Sequence, residues 1–166
     1  MSRRYLLWLI PLLLSGTLSA QPLPAPQEPP LLRVSGNISH TNQADAAHFD
    51  RELLAMLPRH ELETSTSVTD GVKHFEGFLM RDLLEWVNTK GDRVAAMALN
   101  DYLIEIPIED FYHYDVLVAD TMDGIPLTSR DKGPLWIVYP RDAHRELQDI
   151  RYDYRWVWQL HRLEIQ

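Results

Sequence analysis

The chain contains no cysteine among its 166 residues. Without thiols it cannot form disulfides, which stabilise many small exported domains. It also has no thiolate that could act as a nucleophile or as a soft ligand for a transition metal. The fold must therefore rest on noncovalent packing alone, and cysteine-based catalysis is excluded.

Several short catalytic signatures are missing as well. The seven histidines show no His-Glu-x-x-His spacing or comparable ligand pattern, which argues against a metal site. No serine lies in a Gly-x-Ser-x-Gly elbow, and the glycines form no phosphate-binding loop. The adjacent carboxylates Glu109 and Asp110 follow Pro107, which is typical of a helix N-terminus rather than an acid-base pair. The residues alone thus indicate no catalytic centre.

The N-terminal apolar run is too short to cross a bilayer. It extends from Tyr5 to Leu14, follows Arg3 and Arg4, and is succeeded by the small residue Ala20. A basic start, a short apolar stretch and a small residue are the parts of a secretory signal peptide. We therefore predict a signal peptide at residues 1–20, a periplasmic mature protein, and no membrane span in that mature form.

Positive charge is scarce. The formal net charge is −8, and loss of Arg3 and Arg4 with the leader lowers it to −10. A surface of this sign repels the phosphate backbone of DNA and RNA. Nucleic acid is therefore not expected as a partner.

The remaining chain divides into two parts. Residues 21–31 are rich in proline and are predicted to form a disordered or extended tether. Residues 32–166 are predicted to form one domain, since their number is typical of a single hydrophobic core.

Hydrophobic periodicity predicts both helices and strands in this domain. One helix is expected from a cap at Thr41 or Asn42 to Pro58, and a second from Leu79 to Gly91. Strands are expected at residues 32–38, 61–68, 93–99, 102–106, 115–120 and 133–140, with a tight turn at Asn100-Asp101. This alternation predicts an α/β (α+β) domain built on a mixed β-sheet.

Four aromatic residues alternate with charged ones near the C-terminus. They are Tyr152, Tyr154, Trp156 and Trp158. In an extended segment these rings would share one face. Two interpretations remain open: the rings pack on the sheet, as aromatic residues commonly do, or they form a stacking wall for a flat ligand.

Five blocks of the chain resemble a known family. Residues 75–84, Phe-Glu-Gly-Phe-Leu-Met-Arg-Asp-Leu-Leu, are similar to a signature of the sulfite-oxidase-type molybdopterin-binding fold. The later blocks of that family follow in order: Asn100-Asp101-Tyr102, then residues 118–127, then residues 133–140, and finally Arg155-Trp156-Val157 with the closing strand around residues 163–165. The resemblance spans residues 32–166 and implies a sulfite-oxidase-like fold.

The chain departs from this family at its metal and phosphate positions. Where the enzymes have a cysteine that binds molybdenum, this chain has residues 64–68, Thr-Ser-Thr-Ser-Val. Where they have an arginine and a lysine that hold the cofactor phosphate, it has Trp136 and Tyr152. The resemblance therefore implies a ligand without molybdenum and without phosphate.

A cysteine-less, exported branch of the same fold is similar in these respects. Its members, the PruR-type proteins, bind a reduced pterin and regulate an inner-membrane enzyme that makes or degrades cyclic-di-GMP. The resemblance implies the same ligand and the periplasmic domain of such an enzyme as partner. A carboxylate such as Asp101 would accept two hydrogen bonds from the pterin edge, and Trp136 or Trp156 would stack on its face. Asp101 is equally explained as a turn former.

The residues predicted to bind the ligand are Ser65, Thr66, Asp70, Asn100, Asp101, Lys132, Trp136, Tyr152, Arg155 and Trp156. None of them is predicted to be catalytic or to bind a metal. Two alternatives remain: a molybdopterin-dependent oxidoreductase, and a protein-interaction module in which the pocket has lost its ligand.

The leader generates the first prediction. If residues 1–20 are removed on export, the mature protein begins at Gln21, and its intact mass corresponds to residues 21–166. Mass spectrometry of protein recovered from the periplasm measures this directly. Protein that keeps residues 1–20 and sediments with membranes would show that this segment is an anchor instead.

Overall fold

The computed structural model describes residues 23–166. The predicted leader at residues 1–20 lies outside the described residues and stays a prediction. The strands are β1 (Leu32–Gly36), β2 (Ala46–Phe49), β3 (His60–Ser65), β4 (Val72–Leu79), β5 (Arg93–Ala98), β6 (Leu103–Pro107), β7 (Leu117–Met122), β8 (Ile125–Pro126), β9 (Trp136–Val138) and β10 (Leu160–Ile165). The helices are α1 (Arg51–Leu54), α2 (Met80–Trp86), α3 (Ile108–His113) and α4 (Ile150–Asp153), with a 3₁₀ turn at Arg145–Gln148.

The strands form two sheets rather than the one that the sequence predicts. The first sheet has the order β2-β1-β10-β5-β6 and is mixed, because β1 and β10 run parallel while the other neighbours run antiparallel. The second sheet has the order β3-β4-β7-β8, with β9 paired to β7, and is antiparallel throughout. The prediction of an α/β (α+β) domain with a mixed sheet is confirmed.

Local signals predict the β5–β6 hairpin correctly. Asp101 adopts a positive φ of 65°, which asparagine and aspartate tolerate better than most residues. Its N–H donates to the carbonyl of Ala98 at 3.0 Å, and the side chain of Asn100 accepts the N–H of Tyr102 at 3.1 Å. The prediction that α3 begins after Pro107 is confirmed as well.

The first predicted helix is largely wrong. Residues 46–49 form β2, which pairs with β1, and only the four residues of α1 are helical. Asn42 does not cap a helix, since its side-chain amide bonds to both backbone groups of His48. The cap is Asp50, whose carboxylate accepts the N–H of Leu53 at 2.9 Å. The apolar residues between 46 and 57 have helical spacing, but residues 46–49 pair with β1 instead, because tertiary contacts override local preference here.

Strand β4 is absent from the sequence prediction, which places only the start of a helix in this stretch. Gly77, in the second half of this strand, lies so close to β7 that a Cβ atom would be 2.0 Å from the carbonyl oxygen of Val118. Glycine is depleted in strands, so Gly77 weakens the sequence signal for a strand at the point where the two strands pack most closely. The strand predicted at 133–140 is shorter than expected, with only Trp136–Val138 in the sheet.

The C-terminal aromatic segment is not extended as predicted. Residues 150–153 form α4, and a turn follows before β10 begins at Leu160. Asp149 accepts the N–H of Arg151 and thereby caps α4. This local hydrogen bond favours helical backbone over a strand, so the four rings do not share one face.

Residues 23–31 contain no helix or strand and lie against the domain. Leu23 is buried, and the N–H groups of Gln27 and Glu28 donate to Asp50 at 2.7 and 3.1 Å. The side-chain amide of Asn42 donates to the carbonyl of Pro24. The described part of the predicted tether is thus attached to the domain, and the boundary at residue 31 stays a prediction.

One continuous core joins the two sheets and α2. Within it, Leu83 on α2 is fully buried. Replacement of Leu83 by alanine should lower the free energy of unfolding by about 2 to 5 kcal/mol, because it removes buried methyl groups and leaves a cavity. Chemical denaturation measures this change.

The matched control is Leu103→Ala, since the side chain of Leu103 is 49% exposed. That variant should change the free energy of unfolding by less than about 1 kcal/mol. Equal losses in the two variants would mean that α2 is not packed as described.

Candidate functional site

A pocket of about 390 Å³ lies between the β5–β6 turn and the C-terminal segment that contains α4. We call it the aromatic pocket. It is lined by Ser67, Val68, Ala98, Asn100, Tyr102, Ile150, Asp153, Tyr154, Trp156 and Trp158. Its volume is within the range typical of small-molecule sites, and most of its lining is apolar or aromatic.

The hairpin turn supplies one wall of the aromatic pocket. Tyr102 leaves the turn and its hydroxyl donates to the carbonyl of Tyr154 at 2.8 Å, which joins the two walls. Burial, and then the neighbouring Tyr154, raise the pKa of Tyr102 above its ordinary value. Tyr102 therefore stays a neutral hydrogen-bond donor at neutral pH.

Trp156 forms the inner part of the opposite wall. Its side chain is 5% exposed, and its ring packs edge-on against Trp136 with 6.2 Å between ring centroids. The indole Nε1 is buried and has no hydrogen-bond partner within the described residues. Because a buried N–H without a partner is costly, this atom is a candidate donor to a ligand. Tyr154 and Trp158 are more exposed and lie nearer the mouth of the pocket.

Asp153 also lines the aromatic pocket, and its carboxylate is not among the ligand-binding groups that the sequence predicts. Its Oδ1 is buried and accepts no hydrogen bond within the described residues. The nearest cation is Arg141, whose Nε lies 3.7 Å from that oxygen and is also without a hydrogen bond. Arg141 thus balances the charge of Asp153, while Oδ1 itself is left without a hydrogen bond.

Ser65, Thr66 and Asp70 do not line the aromatic pocket, although Ser67 and Val68 between them do. Ser65 donates both its N–H and its hydroxyl to Asp142 at 2.6 Å, and these bonds lower the pKa of that carboxyl. The hydroxyl of Thr66 accepts the N–H of Val68 at 3.1 Å. The predicted hydroxyls therefore organise the loop beside the pocket.

Of the two turn residues, Asn100 lines the aromatic pocket and Asp101 does not. Asp101 is exposed, and its positive φ matches the role of a turn former. Lys132 also lies outside the pocket lining, with its ammonium 3.2 Å from Asp131 and 5.8 Å from the ring centroid of Trp136.

Trp136 does not fit the stacking role predicted for it. Its side chain is fully buried in β9, where the ring packs edge-on against Phe75 at 5.4 Å. Since no face of this ring is open, it cannot stack on a ligand in the described conformation. Trp136 instead packs against the ring of Trp156 from within the core.

Tyr152 and Arg155 face away from the aromatic pocket and line a second depression of about 520 Å³ beside the 3₁₀ turn. Arg155 forms an ion pair with Asp110, and the hydroxyl of Tyr139 donates to the same carboxylate at 2.8 Å. Burial, and then the charge of Asp110, raise the pKa of Tyr139 well above its ordinary value. This network fixes the C-terminal segment to α3.

Within residues 23–166, no three histidine, aspartate or glutamate side chains converge in a way that could hold a metal ion. No helix in the same part of the chain is long and apolar enough to cross a membrane.

Comparison with known proteins finds similarity among solved structures. No family model matches the chain, and no curated protein matches it. Among solved structures, the sulfane dehydrogenase SoxCD from Paracoccus pantotrophus superposes with a TM-score of 0.60 at 19% sequence identity. The match covers 81% of this chain and 37% of that one.

The chain has a sulfite-oxidase-like fold. The fold implied by the sequence resemblance is thereby confirmed. This chain spans well under half the length of the dehydrogenase chain that it matches.

The pocket residues that the sequence prediction missed include Tyr102, Asp153, Tyr154 and Trp158, and it also missed Arg141, which pairs with Asp153. Asp153 and Trp156 are three positions apart, so a helical interpretation of residues 150–156 would have placed them on the same side. The alternating aromatic pattern concealed this, because it favoured a strand in which Asp153 points away from the rings.

The donor set does not fit a molybdenum centre. The chain supplies no thiolate, and the hydroxyl of Ser65, in the corresponding loop, is bound to Asp142. We expect protein produced in a host that makes molybdopterin to contain far less than one molybdenum per chain, because hydroxyls are poor substitutes for a soft sulfur ligand. Elemental analysis measures this content, and stoichiometric molybdenum would contradict the expectation.

Proposed function

We propose that this protein binds a reduced, non-phosphorylated pterin in the aromatic pocket and acts as a periplasmic sensor. In this proposal it regulates an inner-membrane enzyme that makes or degrades cyclic-di-GMP. The observation that carries the ligand assignment is that two residues lining the pocket each have a buried polar atom without a hydrogen-bond partner in the described residues, Asp153 Oδ1 and Trp156 Nε1.

The hydrogen-bonding edge of a pterin complements these two atoms. Its amino-pyrimidinone edge presents two adjacent N–H donors, which one carboxylate can accept as a pair. Asp153 therefore takes the role that the sequence assigns to Asp101. The Trp156 indole, a donor only, would serve a ring nitrogen or the carbonyl oxygen of the same ligand. Both unpartnered atoms gain a partner in such a complex.

The flat faces of a pterin match the aromatic walls. Tyr102, Tyr154 and Trp158 line the pocket and keep part of their surface exposed. Stacking of a heterocycle on such rings contributes about 1 to 3 kcal/mol per ring system. A bicyclic ligand also fits a pocket of about 390 Å³ without filling it.

The surroundings of the pocket favour a ligand without phosphate. Lys132 is paired with Asp131 and Arg155 with Asp110, and neither cation lines the aromatic pocket. Asp153 would moreover repel a phosphate group placed beside it. The assignment of a reduced pterin rests on the sequence resemblance.

A molybdopterin-dependent oxidoreductase is the alternative. It is favoured by the structural relative, which is named as a dehydrogenase. Against it stand the missing thiolate and the engagement of Ser65 by Asp142.

Replacing Asp153 by asparagine tests the ligand assignment. The change removes the charge and puts a donor where the pterin edge presents donors, so affinity should fall about ten- to a hundredfold. Isothermal titration calorimetry with tetrahydrobiopterin under anaerobic conditions measures this loss. Thermal melts of the same samples separate it from unfolding.

Asp101→Asn is the matched control. Asp101 is an exposed turn residue outside the pocket lining, so its replacement should leave affinity within about twofold. Equal affinity in all three proteins would remove the basis for the pterin assignment. If only Asp101→Asn lost affinity for the pterin, the binding site would lie at the β5–β6 turn instead.

The mouth of the aromatic pocket supports the sensor role. Val68, Ile150 and Tyr154 line it and are 43%, 63% and 57% exposed. Apolar side chains that cluster at a pocket mouth are typical of surfaces that another protein covers. A ligand in the pocket would alter this surface, and it can shift partner binding only if it prefers one of two states.

In the native bacterium, an Asp153→Asn strain should show the same altered cyclic-di-GMP level and biofilm formation as a deletion strain, because the receptor would lose its liganded regulator. Mass spectrometry of nucleotide extracts measures the level, and immunoblots of periplasm confirm that the variant accumulates. The Asp101→Asn strain serves as control. An unchanged level in the deletion strain would exclude the sensor role even if pterin binds.

A further inference from the structure

We propose that the protein has a second ligand site, a cationic pocket that binds a phosphate- or sulfate-type oxyanion. The pocket has a volume of about 530 Å³ and lies where β1, α1, β10 and the loop before β9 meet. It is lined by Pro30, Leu31, Arg33, Arg51, Leu99, Leu127, Thr128, Ser129, Pro134 and His161. It shares no residue with the aromatic pocket.

The arginines of the cationic pocket lack carboxylate partners. Neither Arg33 nor Arg51 forms an ion pair within residues 23–166, and neither donates a hydrogen bond to a side chain there. Acidic side chains outnumber basic ones in this chain, whose formal net charge is −8, yet neither of these two arginines has an acidic partner. Two free guanidinium groups in one depression form an arrangement suited to oxyanions.

The first sheet concentrates further positive charge beside this pocket. Arg33 on β1 lies directly opposite Arg162 on β10 and opposite His48 on β2. Like charges directly opposite on neighbouring strands are destabilising, and sheets commonly place opposite charges there. Arg162 also makes no ion pair in the described part of the chain. A bound anion would offset this repulsion.

The two histidines next to the arginines report the positive field. Burial, and then Arg162 and Arg33, lower the pKa of His161. Burial, and then Arg33, lower the pKa of His48. Asp101 faces His161 and Asp45 faces His48, and both carboxylates act in the opposite direction without reversing it. At both histidines the effect of the arginines is thus larger than that of the opposing carboxylate.

A fixed loop adds neutral donors to the cationic pocket. The side chain of Gln159 donates to the carbonyls of Ser129 and Asp131 at 2.9 and 3.0 Å, and the N–H of Gly133 donates to the carbonyl of Thr128 at 2.9 Å. The hydroxyls of Thr128 and Ser129 have no hydrogen-bond partner within residues 23–166. They are therefore free to donate to an anion held by the arginines.

These groups define the ligand class. Guanidinium groups bind the oxygens of phosphate and sulfate in pairs, and hydroxyls complete the shell. Pterin itself carries no such group, so this site does not depend on the function proposed above. The same chemistry is offered by a free oxyanion and by a phospholipid headgroup. The concave shape favours the free oxyanion, since a flat bilayer cannot enter a depression of this kind.

The test is a titration of the purified protein with inorganic phosphate, and separately with sulfate, in a buffer free of other oxyanions. Histidine side-chain resonances followed by nuclear magnetic resonance should show saturable shifts at His161 and His48. The variants Arg33→Gln and Arg51→Gln should each weaken binding about tenfold or more, because each removes a charged hydrogen-bond donor. Arg33→Lys should lose less, since it keeps the charge but not the paired donors.

Arg145→Gln is the matched control, because Arg145 is an exposed arginine that lines a different depression. It should bind phosphate like the wild type, and circular dichroism should show that all variants are folded. No saturable response below about 10 mM phosphate or sulfate would overturn the proposal. Equal loss in Arg145→Gln would do so as well. Binding to phosphatidylglycerol vesicles, but neither to phosphatidylcholine vesicles nor to free phosphate, would assign the surface to lipid and overturn the free-oxyanion site.

Discussion

The buried carboxylate of Asp110 holds the C-terminal segment beside the aromatic pocket in place. It accepts the hydroxyl of Tyr139 at the end of β9 and pairs with Arg155 in the C-terminal segment. Three parts of the chain that are distant in sequence thus meet at one charged group. A buried ion pair is not by itself strongly stabilising, because both charges lose water. Removing one partner, however, commonly costs about 3 to 5 kcal/mol, so the three groups depend on each other.

This network explains why one short segment can serve two surfaces. Arg155 and Tyr152 face the network and the depression beside the 3₁₀ turn, while Asp153 and Trp156 face the aromatic pocket. A ligand that engages Asp153 would compete with Arg141, which now balances its charge from 3.7 Å. In the function that we propose, pocket occupancy would thereby be coupled to the position of the C-terminal segment, which supplies exposed apolar side chains at the pocket mouth. Such coupling is what a sensor requires, and it needs no catalytic group.

Sequence reasoning succeeded where local chemistry decides the structure. The Asn100-Asp101 turn and the helix after Pro107 depend on a few neighbouring residues, and both are present as predicted. It failed where distant contacts decide: Ala46 and Phe49 have helical spacing but pair with β1. Trp136 shows the same limit for the site, because no local pattern distinguishes a buried tryptophan from an exposed one. Asp153 was missed because a cap at Asp149 turns its segment into a helix.

We propose above all that the aromatic pocket holds a pterin by its amino-pyrimidinone edge. A crystal structure of the protein prepared anaerobically with a reduced pterin tests it most directly. We predict the two edge N–H groups within about 3 Å of the Asp153 carboxylate, as charge-assisted hydrogen bonds require, with the ring against Tyr154 or Trp158. A pterin bound at Asp101, or an empty aromatic pocket at saturating ligand, would contradict the account.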